Sequence, residues 1–266
     1  MRGDLQKVGI IGVGKIGGSL LVRLAESGDF DLSASDVHDE QLAVYEKIGV
    51  HTTPSNLEVA ERSDLVFVAV KPWDVGSVME DISPALGPDG GKAVASVAAG
   101  VSIAKISERL PSGAAVLRVM PNVCASVGLG SAVVTANEPG REMLGDVVEI
   151  FRHVGDVMEL PERLFDAATA LHGSGPAYVA LFADALIQAG VRQGIPRDVA
   201  RRLVVETIGG TAVLLKDRSA HQIRDEVMTP GGTTAAAFVA MEKAGFVGAI
   251  HDGVEAATEQ ARGLGG

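Results

Sequence analysis

The chain has 266 residues, 47% of them hydrophobic and 21% charged, with 33 glycines in no collagen-like period; at about 150 residues per domain this describes one large or two modest globular domains, not a disordered or fibrous protein. Lysine and arginine number 23 against 34 aspartates and glutamates, a formal net charge of -11, and no long basic run is present to neutralise a phosphate backbone, which argues against a nucleic-acid partner. Cys124 is the only cysteine, the apolar run between Lys7 and Lys15 is too short for a signal peptide, and no stretch is long and apolar enough to span a membrane, so a reducing, cytoplasmic setting without a membrane partner is expected.

Through the first ~160 residues, short apolar runs alternate with helical patterns, which predicts an α/β domain built on a parallel, doubly wound sheet with crossover helices. The runs are Val8 to Ile11, Leu32 to Ser35, Leu65 to Val70, Ala93 to Val97, Ala115 to Met120, Ser131 to Thr135 and Val157 to Leu160. Seven or eight strands are expected. After Pro161 the β-branched runs give way to Ala-rich stretches of helical length, so the chain divides into a Rossmann-type dinucleotide-binding domain, 1–160, and an all-helical domain, 161–266. In the latter, Pro176 opens a helix that Gly190 is expected to cap, and Pro196 opens a second that runs to about Lys216 across Gly209-Gly210. A third covers Ala220 to Val227. Two more follow the break Met228-Thr229-Pro230-Gly231-Gly232, with Gly245 between them.

Gly12, Gly14 and Gly17 form a G-x-G-x-x-G directly after a predicted strand and before the helical pattern Leu20, Leu21, Leu24. The first glycine permits the tight turn, the second lets a pyrophosphate approach the backbone, and the third lets helix and strand pack closely. Lys15 and Ile16 then lie at the helix N-terminus that attracts phosphate charge. The second strand ends at Asp36, about 20 residues beyond Gly17, where a carboxylate accepts hydrogen bonds from the ribose hydroxyls of NAD. Val70-Lys71-Pro72, Ser96 to Gly100 and Arg118 to Asn122 stand at the carboxyl ends of strands, where a doubly wound sheet binds ligands. Ala98 and Ala99 either let a flat ring approach or simply pack a helix, and Arg118 is either a site residue or a structural cation. In Thr229 to Thr234, consecutive N–H groups at a helix start with Thr hydroxyls beside them make either a carboxylate-sized anion site or an ordinary cap.

Other chemistries lack their residues. The six histidines show no metal-ligand spacing, Cys124 has no basic or helix-start neighbour to activate it, and no G-x-S-x-G elbow occurs. Metal ligation is not expected, and the chemistry must come from a cofactor that the protein orients.

Taken together, the motifs resemble those of the pyrroline-5-carboxylate reductases along the whole chain. They are Gly12-x-Gly14-x-x-Gly17, Ala69-Val70-Lys71-Pro72, Ala98-Ala99-Gly100-Val101, Arg118-x-Met120-Pro121-Asn122, Gly173-Ser174-Gly175-Pro176-Ala177-Tyr178 and Pro230-Gly231-Gly232-Thr233-Thr234 followed by Glu242 and Gly245-Phe246. The resemblance implies hydride transfer from NADPH or NADH to the C=N bond of 1-pyrroline-5-carboxylate, giving L-proline as the last step of proline biosynthesis. It also implies a homodimer through the helical domain, extending to a higher oligomer of dimers. Residue by residue, it places Asn56, Ala69, Val70, Lys71, Pro72 and Ala98, with Met120, Pro121 and Asn122, around the cofactor. Gly231, Gly232, Thr233 and Thr234 would hold the cyclic imine carboxylate, with Thr234 as the catalytic partner of the ring nitrogen. The sequence departs from the family's common pattern at His172 and Thr229, where serines are usual, at Cys124, where proline is frequent, and at Asp36-Val37, where Asn-Arg suits a 2′-phosphate. Asp36 therefore leans towards NADH. The alternatives are a reductase of a related cyclic imine acid, a β-hydroxyacid dehydrogenase, disfavoured because Gly173 to Phe182 contains no lysine, and a non-catalytic NAD(H)-binding protein, disfavoured by the second anion site.

Overall fold

Val8, Ile10, Leu65, Phe67, Val94 and Ala95 are wholly shielded from solvent, as strands covered by helices on both faces require. They belong to an eight-stranded sheet in a computed structural model that describes residues 5–87 and 91–264. The first four residues of the expected N-terminal domain and the last two of the helical one lie outside the described residues. The strands are β1 (Gln6–Ile11), β2 (Phe30–Ser35), β3 (His51–Thr52), β4 (Leu65–Val68), β5 (Ala93–Ser96), β6 (Ala115–Pro121), β7 (Gly130–Ala136) and β8 (Gly155–Glu159). Their order is β3-β2-β1-β4-β5-β6-β7-β8. The direction of winding reverses between β1 and β4, and the crevice at their carboxyl ends is where this architecture takes a dinucleotide.

The crossovers are α1 (Lys15–Ser27), α2 (Asp39–Glu46), α3 (Asn56–Arg62), α4 (Val75–Ile82) and α5 (Ile103–Ser107), with α6 (Leu144–Arg152) between β7 and β8. Leu20, Leu21 and Leu24 of α1 join Phe67 and Phe151 under one face, the two rings meeting edge-on at 5.4 Å; Val59, Met79 and Ile82 of α3 and α4 fill the other. The sheet departs from the parallel expectation at one pairing, for β6 and β7 run antiparallel. Only a short turn, Val123–Val127, joins them, and a parallel crossover needs a dozen residues or more. The two-residue β3 has no apolar run to announce it.

Arg118, on β6, resolves as a structural cation. It is buried, its guanidinium lies 3.2 Å from Glu162 and 3.9 Å from Asp166, and it sits 4.8 Å over the Phe165 ring of α7 (Phe165–Ala168). Glu162 also accepts the Ile103 N–H, at 2.8 Å.

The chain divides into two units, Met1–Ser174 with Ala257–Gly266, and Gly175–Ala256. The second begins with α8 (Gly175–Arg192) and α9 (Arg197–Leu214), continues with α10 (Ala220–Val227) and α11 (Thr233–Lys243), and takes in most of α12 (Phe246–Leu264). Gly190 does not cap α8. It lies inside the helix, where an added Cβ would come 3.3 Å from the Ala200 methyl, and the chain turns instead at Gly194, φ +91°. Ser219 and Gln222 form a capping box at the start of α10. Among the described residues of α8 to α11 only Ala200 is buried. Leu203, Val213, Leu215 and Ile250 are exposed, and nothing lies within 4 Å of a Cβ added at Gly209 or Gly210. Among the described residues no single helix is long and apolar enough to cross a membrane; α11 and α12 reach that length only as a pair bent by 52°.

Candidate active site

The three glycines after β1 do three different jobs. Gly12 has φ +92°, and a Cβ there would lie 2.9 Å from the Ala69 backbone. A Cβ on Gly17 would lie 2.0 Å from the Gly12 carbonyl oxygen and 3.1 Å from the Ala69 methyl. Around Gly14 there is nothing within 4 Å. Gly12 and Gly17 are therefore required by the fold, and Gly14 leaves its surroundings open. It is also the N-cap of α1, with no side-chain cap and no acidic residue in the first turn. The leading N–H groups of α1, at Lys15 and Ile16, thus keep their donor capacity and the positive end of the helix dipole for an anion.

Asp36, just beyond β2, is half-buried and fixed by backbone. Its carboxylate accepts the Val13 N–H at 2.8 Å and the His38 N–H at 3.0 Å. Burial, and then the Asp36 charge, push the Tyr45 phenol above its ordinary value, so the ring that packs beside Gly18 stays neutral. Asn56, the first residue of α3, accepts the Ser35 hydroxyl at 2.8 Å and donates to Asp81 at 3.0 Å. Ala69, Val70, Lys71 and Pro72 leave the carboxyl end of β4, where the Ala69 N–H reaches the Ile11 carbonyl at 2.7 Å and Lys71 is exposed. Ala98 is buried beyond β5, its N–H on the Ser96 hydroxyl at 3.3 Å. Met120, Pro121 and Asn122 close β6, and Asn122 accepts the N–H groups of Cys124 and Ser131, both at 3.2 Å. All fifteen residues read as cofactor-binding therefore fall in the first unit. Ser35 and Asp81, the side chains that hold Asn56, carry no sequence signature of their own.

Gly231, Gly232, Thr233 and Thr234 fall in the second unit. Gly231 has φ +69°, and Gly232 is the N-cap of α11 without a side-chain cap. Of the consecutive N–H groups expected to face an anion, that of Gly232 is already taken, donating to the Thr229 carbonyl at 3.0 Å. A Cβ there would also lie 2.4 Å from the Thr229 hydroxyl. The free donors are instead those of the first turn of α11, beginning at Thr233 and Thr234. Both threonines line a cavity of about 590 Å³ with Phe182, Arg224, Glu242 and Phe246. Arg224 comes from α10, five residues before Thr229, and no spacing rule marks it.

A glycine turn with an open second position, at the switch point of a doubly wound sheet, together with an all-helical unit carrying a partly polar cavity, defines the class of nicotinamide-dinucleotide oxidoreductases with a helical second domain. Residues 162–264 match the family model described as pyrroline-5-carboxylate reductase dimerisation, and residues 7–100 one described as NADP oxidoreductase coenzyme F420-dependent. The chain is 38% identical to a pyrroline-5-carboxylate reductase of Synechocystis, over 97% of this chain and 98% of that protein. A solved pyrroline-5-carboxylate reductase structure from Coxiella burnetii superposes with a TM-score of 0.92 at 30% identity, covering 99% and 100% of the two chains. That of Plasmodium falciparum with NADP bound gives 0.87 at 32%, covering 98% of each. The chain belongs to the pyrroline-5-carboxylate reductase family.

The geometry separates two glycine variants. Gly17→Ala forces its methyl into the Gly12 carbonyl and should cost about 1–3 kcal/mol or more of stability, read as a lowered Tm. Gly14→Ala adds a Cβ that meets nothing in the protein, so its Tm should stay at the wild-type value while NADH binding weakens by roughly tenfold or more. Quenching of Trp73, the only tryptophan, exposed on the turn after Lys71-Pro72, follows that binding directly.

Proposed function

We propose that the protein reduces the C=N bond of 1-pyrroline-5-carboxylate to L-proline with a nicotinamide cofactor. The observation that carries this, in a chain of this family, is the uncapped start of α11: Thr233 and Thr234 open a cavity that also holds Arg224. A planar imine acid offers its carboxylate as the one strong handle, and N–H groups at a helix start with hydroxyls beside them suit it. We assign Thr233, with Gly231 and Gly232 shaping the turn, to the carboxylate, and Thr234 to the ring nitrogen. The cofactor lies, on this reading, along Gly12 to Gly17, Asp36, Asn56, Ala69 to Pro72, Ala98 and Met120 to Asn122. The open space at Gly14 and the free N–H groups of α1 fit its pyrophosphate.

When bound, NAD(P)H supplies a hydride to the imine carbon. The imine nitrogen carries a proton taken from water, so the C=N π electrons end as the amine lone pair and no further proton is needed. The protein's part is orientation, which supplies about 7–11 kcal/mol in favourable cases. Thr234 holds the ring nitrogen by its hydroxyl, and the α11 donors hold the carboxylate away from the reacting carbon.

The helical domain, 161–266, serves on this reading as the dimerisation and substrate-binding domain. Its exposed Leu203, Val213, Leu215 and Ile250 want a cover, and a second copy of the same face is the cover that closes by symmetry. The cytoplasm is the expected compartment.

Four measurements test these assignments. Following cofactor oxidation with pyrroline-5-carboxylate, a six-membered imine acid and, in reverse, 3-hydroxyisobutyrate should show turnover greatest with the first; greater activity on the hydroxyacid would overturn the reading. Thr234→Ala should lower kcat/KM by roughly 10- to 150-fold, the worth of one hydrogen bond to a charged group, whereas Thr234→Ser keeps most activity. Asp36, held towards the ribose by two backbone N–H groups, opposes a 2′-phosphate by about 1–2 kcal/mol, roughly 5- to 30-fold. NADH should therefore serve at least as well as NADPH, and Asp36→Ser should move the preference towards NADPH. Light scattering at micromolar concentration should find a dimer or a multiple of it, and a fully active monomer would refute the assembly.

A further inference from the structure

His172 lies in a single π-turn, Thr169–Gly173, a local widening of the helical backbone that is rare and concentrated at functional positions. Its ring spans two backbone carbonyls. Nδ1 lies 2.6 Å from the Ala168 oxygen, one turn back in the chain, and Nε2 lies 2.8 Å from the Met120 oxygen, on the last turnable stretch of β6. The contact is reciprocal, since Asn122 Nδ2 donates to the His172 carbonyl at 3.1 Å. Next in sequence, a Cβ on Gly173 would come 2.9 Å from the Met120 terminal methyl. The pair His172-Gly173 therefore grips Met120 at both ends: its carbonyl by the imidazole, its side chain by the space a glycine leaves.

Nothing in the reaction as assigned above uses this ring, and the local helix does not need it. The approach to Ala168 is a local one to the carbonyl four residues back, where Thr169 also donates to Phe165 at 2.7 Å; both carbonyls only accept, so each contact is a hydrogen bond only where the facing ring nitrogen carries the proton. The bond to Met120 crosses 52 residues of sequence to the end of a strand. In the strand order found, β1 and β2 flank one side of the switch point and β4, β5 and β6 the other. A dinucleotide whose pyrophosphate sits on α1, with its adenosine towards Asp36, lays its nicotinamide half over the second group, and Met120 to Asn122 form the margin of that half.

We infer that His172 is a positioning residue for hydride transfer: its Nε2–H, by holding the Met120 carbonyl, fixes the backbone of Met120 to Asn122 beside the nicotinamide ring. The inference rests on the cofactor placement proposed above. It assigns the function to one of the two ring nitrogens, and two amide side chains separate them. Glutamine carries its amide nitrogen as many bonds from the backbone as Nε2, and asparagine as many as Nδ1. His172→Gln retains the reach to Met120, while His172→Asn reaches only Ala168.

With saturating NADH and pyrroline-5-carboxylate, His172→Gln should keep kcat within roughly threefold of wild type, and His172→Asn and His172→Ala should lose roughly tenfold or more. The Kd for NADH, which the glycine turn and Asp36 dominate, should change by less than about threefold in all three. Amide hydrogen exchange reads the same bond without turnover. The Cys124 and Ser131 amides hang from the Asn122 side chain, which itself donates to the backbone carbonyl of residue 172; with the Met120 to Asn122 backbone loosened, they should exchange faster in the Asn variant than in the Gln variant. Equal exchange and equal kcat in the Gln and Asn variants, or a loss of Tm in both with kcat intact, would overturn the inference. An inactive wild type would instead overturn the proposed reaction, leaving the exchange comparison to judge His172 alone.

Discussion

The first unit depends on two Cβ atoms that are not there. With Gly12 at φ +92° and the Gly17 Cα facing the Gly12 carbonyl, α1 can start at once after β1 and lie against Ala69 at the end of β4. Any side chain at Gly17 would push the helix off the sheet, and Leu20, Leu21 and Leu24 would lose the burial that leaves each at most 2% exposed. At about 25 cal/mol per Å² of apolar surface, burying a leucine side chain is worth roughly 1.5–3 kcal/mol, so three of them outweigh the entropy that glycines add to the unfolded chain. The open ground at Gly14 follows from the same geometry, because the turn that brings Gly12 and Gly17 together points Gly14 outward.

What the chain states locally, the sequence makes legible. β1, β2, β4, β5, β6, β7 and β8 each overlap one of the short apolar runs, and α8 to α12 are framed by Pro176, Pro196, Ser219 and Gly245. The antiparallel turn of β7 was not legible from its residues, since an apolar run reads the same in either direction. Only the length of the link from Asn122 to Leu129 carries that information. Gly190 misleads for a related reason: a glycine after an apolar stretch looks like a cap, and its role in the contact with Ala200 depends on a helix that follows it in sequence. Motif residues such as Gly12, Asp36 and Thr234 could be named because their backbone demands are local. Ser35, Asp81, Arg224 and the reach of His172 could not, because each acts on a residue far away in the chain.

The helical unit is a different physical case. Its helices are framed by strong local signals, yet almost none of its side chains are buried within one chain. An amphipathic helix gains most of its stability from packing its apolar face, and here those faces, with Gly209 and Gly210 facing open space, remain uncovered. The family model for this region is described as dimerisation, and under the assembly proposed above the packing partner is another chain, which no periodicity in one chain can specify.

Three polar side chains of the first unit share one employment. Asp36 holds Val13 and His38, Asn122 holds Cys124 and Ser131, and His172 faces Ala168 and Met120; in each case the partner is a backbone group. Asn56 ties β2 to α4 through Ser35 and Asp81. The backbone N–H groups at the starts of α1 and α11, which no side chain caps, keep spare donor capacity. That division suits a reaction whose acid-base demand is met when the imine arrives protonated. Where no side chain has to exchange a proton with the substrate, side-chain hydrogen bonds are better spent on fixing the backbone that does the binding. A preorganised backbone donor loses no rotamer entropy when it meets its ligand. The density of side-chain struts in the structure then answers one requirement, that two bound reactants be held still at a fixed distance.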